Sequence, residues 1–256
     1  MLRMGQPPMS HNRRSSPPAA VAPSASHPFT SRFSPELARI LRRGRDLLEG
    51  PGVVAHDFVL LEGQGSRVPR PDPGTRVVEH DNPAAVGRVY ARAERQANDA
   101  RSAVRLRRGF RFFELSDLSG TAGYGWFGAG EERYFDELAL RYALPKDALW
   151  VRDVFVAPSR RGRGYFGGLL AHVIRAIPER PRLWSDVDWD NVPSLRAHVN
   201  VGFELRARLM GVTVRDRLVF RVKHQPNVLP ATGFRAERRV VCLRTSELPL
   251  HRDLIA

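Results

Sequence analysis

The sequence predicts an α/β (α+β) protein, and three observations predict it. Apolar residues switch repeatedly between strand-like and helix-like spacing across Thr75–Val222. Two pairs of β-rich runs, Phe110–Leu115 with Thr121–Phe127 and Glu204–Val214 with Leu218–Val222, are joined by short turns of hairpin type. A strand over Trp150–Val156 stops at Pro158 and passes through an Arg/Gly loop straight into a helix.

Taken in order, residues 1–32 are rich in Pro, Ser, Ala and Arg without apolar periodicity, and are expected to be a disordered extension. Their basic charge is similar to that of a transit peptide, but the prolines would break the amphipathic helix such a peptide needs. Ser34-Pro35-Glu36 reads as a helix start, with a Ser cap and Pro at the first position. Leu37, Ile40, Leu41, Leu47 and Leu48 supply a partial stripe, ended by Gly50-Pro51-Gly52. Val53–Leu61 follows as a strand and Gly63–Gly74 as a loop. This segment, 33–74, is expected to pack on the core.

Arg76–Glu79 is a short strand. Ala85, Val86, Val89, Tyr90, Ala93 and Ala97 recur at helical spacing. After the first hairpin a short helix is expected around Glu132–Leu144, stopped by Pro145. In the helix opening near Tyr165, Phe166, Leu169, Leu170, Val173, Ile174 and Ile177 fall on one face. Leu183–Asp190 is the next strand, with Asp186, Asp188 and Asp190 alternating to one side. Residues 225–256 read as an irregular tail with one strand-like run, Arg239–Leu243.

Composition narrows the classes. The chain has 256 residues, 42% hydrophobic and 27% charged, with no apolar run near the length that crosses a bilayer. A single cysteine, Cys242, excludes an intramolecular disulfide framework and fits a reducing, cytoplasmic setting. The histidines are scattered, so no metal site is expected. A formal charge of +14 invites an anionic partner, but no basic run is interleaved with aromatics as a nucleic-acid platform would be.

The chemistry lies in Val154–Phe166. Glycines at a helix start let the backbone approach a ligand, and the free N–H groups of the first turn form an anion cradle. Arg161 and Arg163 add full charges beside Gly162 and Gly164. The loop lacks both the G-K-[ST] of a P-loop and the G-x-G-x-x-G of a dinucleotide fold.

Strand, proline, then R-G-x-G opening a helix resembles the acyl-CoA signature of the GNAT N-acetyltransferase superfamily. Asn191, Ser194, His198, Gly202 and Phe203 stand in the register of that family's second signature. The resemblance covers roughly Thr75–Val222 and marks 75–224 as the acyltransferase domain. It implies a mixed, mostly antiparallel sheet flanked by helices, with a V-shaped splay at the cofactor-binding strand. It also implies acetyl-CoA, or another acyl-CoA, as cosubstrate. Val154, Phe155 and Val156 would pair with the pantetheine arm, and Arg161, Gly162, Arg163, Gly164, Tyr165 and Phe166 would hold the pyrophosphate. Asn191, with Ser194 in register, would place the cofactor or simply cap its helix.

Two positions depart from the family pattern. Phe166 stands where Gly or Ala is usual, which would alter the cofactor's approach. His198 stands where a general-acid Tyr is usual; it either protonates the leaving thiolate or packs beside Leu195 and Val199. Asp153 is the candidate base near the acyl end. The Asp186–Asp190 face is either cation-accepting or simply solvated. Tyr124, Trp126, Trp150 and Trp184 line an acceptor pocket or belong to the core. The function expected is acyl transfer from acyl-CoA to a primary amine, with the acceptor unidentified, no membrane or nucleic-acid partner, and a homodimer left open. The alternatives are a non-catalytic acyl-CoA-binding module and a basic nucleic-acid-binding protein.

Overall fold

The computed structural model describes residues 52–68, 74–130, 132–215, 217–226 and 234–244. The expected extension over 1–32 and the helix beginning at Ser34 lie outside the described residues.

Among the described residues nine strands form one sheet in the order β11-β10-β9-β1-β8-β7-β4-β3-β2. They are β1 (Val53–Gln64), β2 (Arg76–His80), β3 (Arg111–Asp117), β4 (Gly120–Gly128), β7 (Ala148–Val156), β8 (Arg182–Asp188), β9 (Glu204–Val214), β10 (Arg217–Pro226) and β11 (Phe234–Arg244). Every neighbouring pair is antiparallel except β7 and β8, which run parallel. The expected mixed, mostly antiparallel sheet is therefore present. Among the described residues four helices flank it: α1 (Pro83–Arg92), α2 (Asp99–Arg107), α3 (Tyr165–Ala176) and α4 (Val192–Asn200).

Alternation along the strands assigns the layers. Phe113 and Leu115 of β3 join Leu149 and Val151 of β7 in a core with Leu169, Leu170 and Val173 of α3 and Leu195 of α4. Phe112 of β3, on the opposite face, packs with Trp126 and with Val86 and Val89 of α1.

That second face carries the main corrections to the sequence reading. In place of the expected helix at Glu132–Leu144, β5 (Glu132–Phe135) and β6 (Leu140–Ala143) make a separate two-stranded hairpin around a single 3₁₀ turn. Phe135 and Leu138 are three residues apart and fully buried, so their spacing imitates a helix stripe. The hairpin roofs a third core of Leu60, Trp150, Trp184, Ala207 and Leu209. The helix expected from Ala85 to Ala97 ends at Arg92, and Asn98 then caps α2 by accepting the Arg101 N–H at 2.8 Å. Periodicity missed α2 because its buried residues include Ser102 and Arg105.

β1 runs through the middle of the sheet, antiparallel to β8 on one side and β9 on the other. Arg208 clamps it to β9, donating Nε to Asp57 Oδ1 at 2.8 Å and Nη2 to Oδ2 at 2.5 Å. The run Arg239–Leu243 proves to be part of a longer strand, β11, paired with β10 from Arg217↔Arg244 to Pro226↔Phe234. The first half of that strand, Phe234–Arg238, has too few apolar residues to show a period of two.

Candidate active site

β7 and β8 pair only from Ala148↔Arg182 to Val151↔Ser185 and then part. β7 stays on β4, but with a bulge: Trp126 faces Arg152 and Tyr124 faces Phe155, so Gly125 is opposed by both Asp153 and Val154. Asp153 takes the extra turn with φ of 51°. The strands thus fork, and the β8-facing edge of Val154–Val156 lacks a β8 partner. This is the V-shaped splay, and it leaves backbone donors and acceptors facing the opening.

The Arg/Gly loop closes one end of the fork. Gly162 and Gly164 adopt φ of 76° and 79°, in the left-handed region. Gly164 caps α3 without any side-chain bond, and the first helical bond runs from the Gly168 N–H to the Gly164 carbonyl at 2.9 Å. The amides of Tyr165, Phe166 and Gly167 therefore have no acceptor within the helix. A Cβ added at Gly162, Gly164 or Gly168 would meet nothing within 4 Å. Free amides, a helix N-terminus and open space together make a cradle for a phosphate-sized anion.

The Phe166 ring packs inward against the core, 4.6 Å from the His198 ring. Arg161 folds back to donate Nε to the Val156 carbonyl at 3.1 Å, so it braces the loop as well as charging it. Arg163 is exposed.

Asp117, a turn residue in the sequence reading, anchors the loop from the side. It accepts from Arg160 Nε at 2.7 Å and from the Tyr165 hydroxyl at 2.9 Å, gripping residues on either side of the two glycines. The Ser119 N–H and hydroxyl also donate to it, each at 2.8 Å. Arg160 first, then Ser119, hold its carboxyl well below the usual carboxylate range.

Asp153 is almost half exposed, and its Oδ2 accepts from Arg105 Nη1 at 2.8 Å and from the Tyr90 hydroxyl at 3.3 Å. Tyr90 in turn accepts from Trp126 Nε1 at 3.1 Å. Burial, then the Asp153 charge, raises the Tyr90 hydroxyl above its ordinary range, so it remains a donor. The side chain of Arg105 is only 3% exposed. Neither Tyr90 nor Arg105 had a recognisable signal, because each comes from a helix far from Asp153 in sequence.

His198 is buried, between Phe166 and Phe203. Its Nδ1 lies 2.8 Å from the Ser194 carbonyl, which can only accept, so Nδ1 carries the proton. Burial pushes its pKa down to about 4, leaving the ring neutral. Nε2 then accepts from the Ser185 hydroxyl at 3.0 Å. Both nitrogens are engaged inside the protein. Asn191 caps α4, its side-chain oxygen accepting the Ser194 N–H at 3.3 Å.

Of the expected acidic face, only Asp186 and Asp188 lie in β8, and Asp190 falls in the turn beyond it. Asp186 contacts Arg133 Nη2 at 3.4 Å. Tyr124, Trp126, Trp150 and Trp184 are all at least 95% buried. Among the described residues, no group of three or more His, Cys, Asp or Glu could hold a metal ion, and no helix is long and apolar enough to cross a membrane.

Residues 90–203 match the acetyltransferase (GNAT) family model. Among solved structures, the chain is similar to a tandem GNAT protein from the clavulanic acid biosynthesis pathway, at 17% identity over 63% of this chain, TM-score 0.44. It spans 55% of the length of that protein. A putative GNAT-family acetyltransferase from Novosphingobium aromaticivorans is 18% identical over 70% of this chain and 80% of its own, TM-score 0.42. The ribosomal-protein-S18-alanine N-acetyltransferase of Escherichia coli is 16% identical over 50% of this chain and 76% of its own, TM-score 0.36. No curated protein matches the chain.

Proposed function

We propose that this chain is an N-acyltransferase that moves an acetyl or other short acyl group to a primary amine: residues 90–203 match the GNAT acetyltransferase family model, and that family takes its acyl group from acyl-CoA. The observation that carries the proposal is the conjunction of a forked β7–β8 pair with a glycine cradle at the same end of the fork.

On this reading the amides of Gly162–Phe166 hold the pyrophosphate, the Arg161 N–H being bonded to the Pro158 carbonyl at 3.3 Å. The edge of Val154–Val156 that β8 leaves uncovered, where Arg161 Nε also reaches the Val156 carbonyl, pairs with the pantetheine, which directs the thioester towards the fork. Asn191 fixes the start of α4 beside that path. The amine nitrogen attacks the thioester carbonyl; a C–N bond forms, the C–S bond breaks, and the proton lost by the amine ends on the departing thiolate. A backbone N–H near Val156 stabilises the developing oxyanion. Asp153, held by Arg105 and Tyr90 through Oδ2, accepts the amine proton through Oδ1 or a water. Most of the acceleration then comes from holding amine and thioester together, with little demand on any one acid.

A specific observation favours the second reading, a non-catalytic acyl-CoA-binding module. Neutral His198 has its one ring proton committed to the Ser194 carbonyl, so it has none to give a thiolate. The deciding experiment is calorimetry with acetyl-CoA on the wild type, Gly164→Glu and Arg161→Ala, followed by thiol release with amine acceptors. Micromolar binding lost in Gly164→Glu, with turnover, supports the enzyme. Binding without turnover on any amine supports the module, and no binding sinks both.

A further inference from the structure

We propose that Trp150, Trp184, Arg133 and Asp186 form the acceptor subsite, and that it selects an amine with a carbonyl or carboxylate oxygen beside it: an α-amino acid or a peptide N-terminus. This deepens the acyl-transfer reading and rests on it.

The placement comes from the sheet. Trp150 and Trp184 are register partners across β7 and β8, one residue before Val151↔Ser185, where the strands part. Their side chains lie in the core roofed by the β5–β6 hairpin, on the face away from α3.

The chemistry comes from its donors. Both indole Nε1–H groups are buried and have no hydrogen-bond partner. Unpaired donors at two adjacent buried positions call for an acceptor that the protein does not supply. Arg133 reaches in from β5 with a side chain 9% exposed, its guanidinium 5.7 Å from the Trp150 ring. The cluster thus presents two indole N–H groups and a cation, which suits an oxygen anion or a carbonyl.

The amine end falls to Asp186. Its contact with Arg133 is 3.4 Å, against 2.8 Å for Arg105–Asp153 and 2.5 Å for Arg182–Glu62 and Arg208–Asp57. A loosely held carboxylate retains capacity for an ammonium. Asp186 keeps 15% of its side-chain surface exposed, so the cluster meets solvent there. A polyamine or a lysine side chain would bring only N–H donors and a cation. It would leave both indoles unpaired and set like charge against Arg133.

The test compares thiol release from acetyl-CoA with L-alanine, a tripeptide bearing a free N-terminus and an amidated C-terminus, and spermidine. Alanine and the tripeptide distinguish a free amino acid from a chain terminus. We expect one of them to exceed spermidine by roughly 100-fold in kcat/KM. Trp150→Phe and Trp184→Phe, which keep the ring and remove the N–H, should each raise the acceptor KM about tenfold and leave the acetyl-CoA KM unchanged. Preference for spermidine overturns the proposal. So does an unchanged acceptor KM in both Phe variants, which would mean that the indoles bind water only. Calorimetry with the tripeptide in the absence of acetyl-CoA separates the two layers. Tripeptide binding weakened by Trp184→Phe supports the subsite even if acetyl-CoA fails to bind, whereas acetyl-CoA binding without any acceptor binding or turnover overturns the subsite alone.

Discussion

The Ser185 hydroxyl lies 3.0 Å from Nε2 of His198 and joins α4 to β8 at the last paired residue before the fork. With Nδ1 bound to Ser194, the imidazole acts as a buried cross-brace.

This brace makes stability depend on pH. Burial depresses the His198 pKa from 6.5 to about 4, against smaller opposing effects of the Ser194 carbonyl and the Asp186 charge. In that window the unfolded chain binds a proton that the folded chain excludes. Stability is therefore full above pH 6.5 and falls as pH drops from 6.5 towards 4, by about 3 kcal/mol from this residue. Urea denaturation at pH 7 and pH 5 should show the loss in the wild type and a smaller one in His198→Gln. A thiol-release rate reduced more than tenfold in a fully folded His198→Gln would instead indicate direct participation in catalysis.

Asp117 should govern acyl-CoA affinity without touching the ligand. Asp117→Ala frees Arg160 and Tyr165, and with them the two ends of the cradle. The expected result is an acetyl-CoA KM raised about tenfold, roughly the effect of losing one charge-assisted hydrogen bond, with kcat within a factor of two. Steady-state kinetics with varied acetyl-CoA separates the two parameters.

Gly164 is held by its backbone angle, since a Cβ there has open space. Gly164→Ala should cost about 1 kcal/mol of stability for its φ of 79°, measured by denaturant midpoint, and weaken acetyl-CoA only modestly. Gly164→Glu adds an anion at the cradle and should abolish binding in calorimetry.

Substitution of Asp153 will affect folding as well as rate. Asp153→Ala leaves the guanidinium of Arg105, 3% exposed, without its carboxylate. Removing one partner of such a pair costs about 3 kcal/mol. The double variant Asp153→Ala, Arg105→Met should recover most of that stability. Activity of the double variant, and not of the single one, then reports what the carboxylate contributes to the reaction.

The strand–loop–helix around Val154–Phe166 and the helix from Asn191 were legible in the sequence because glycines, proline and a 3.6-residue stripe are local properties of the chain. The hairpin at Glu132–Ala143 was not, because Phe135 and Leu138 carry a spacing that only strand pairing decides. α2 was hidden by the inward-facing Ser102 and Arg105, whose partners lie in other elements.

Sequence by itself determined the cradle: Gly162 and Gly164 permit the left-handed turns, and the helix start supplies the amides whatever surrounds them. Tertiary structure alone decided which side chains meet at the fork. Arg105 and Tyr90 reach Asp153, Arg133 approaches Asp186, and Asp117 grips Arg160 only after the sheet has brought distant segments side by side. His198 shows the division in one residue. Its position beside the expected cofactor path was readable, but its protonation was set by burial and by the acceptor at Ser194, which no spacing rule contains.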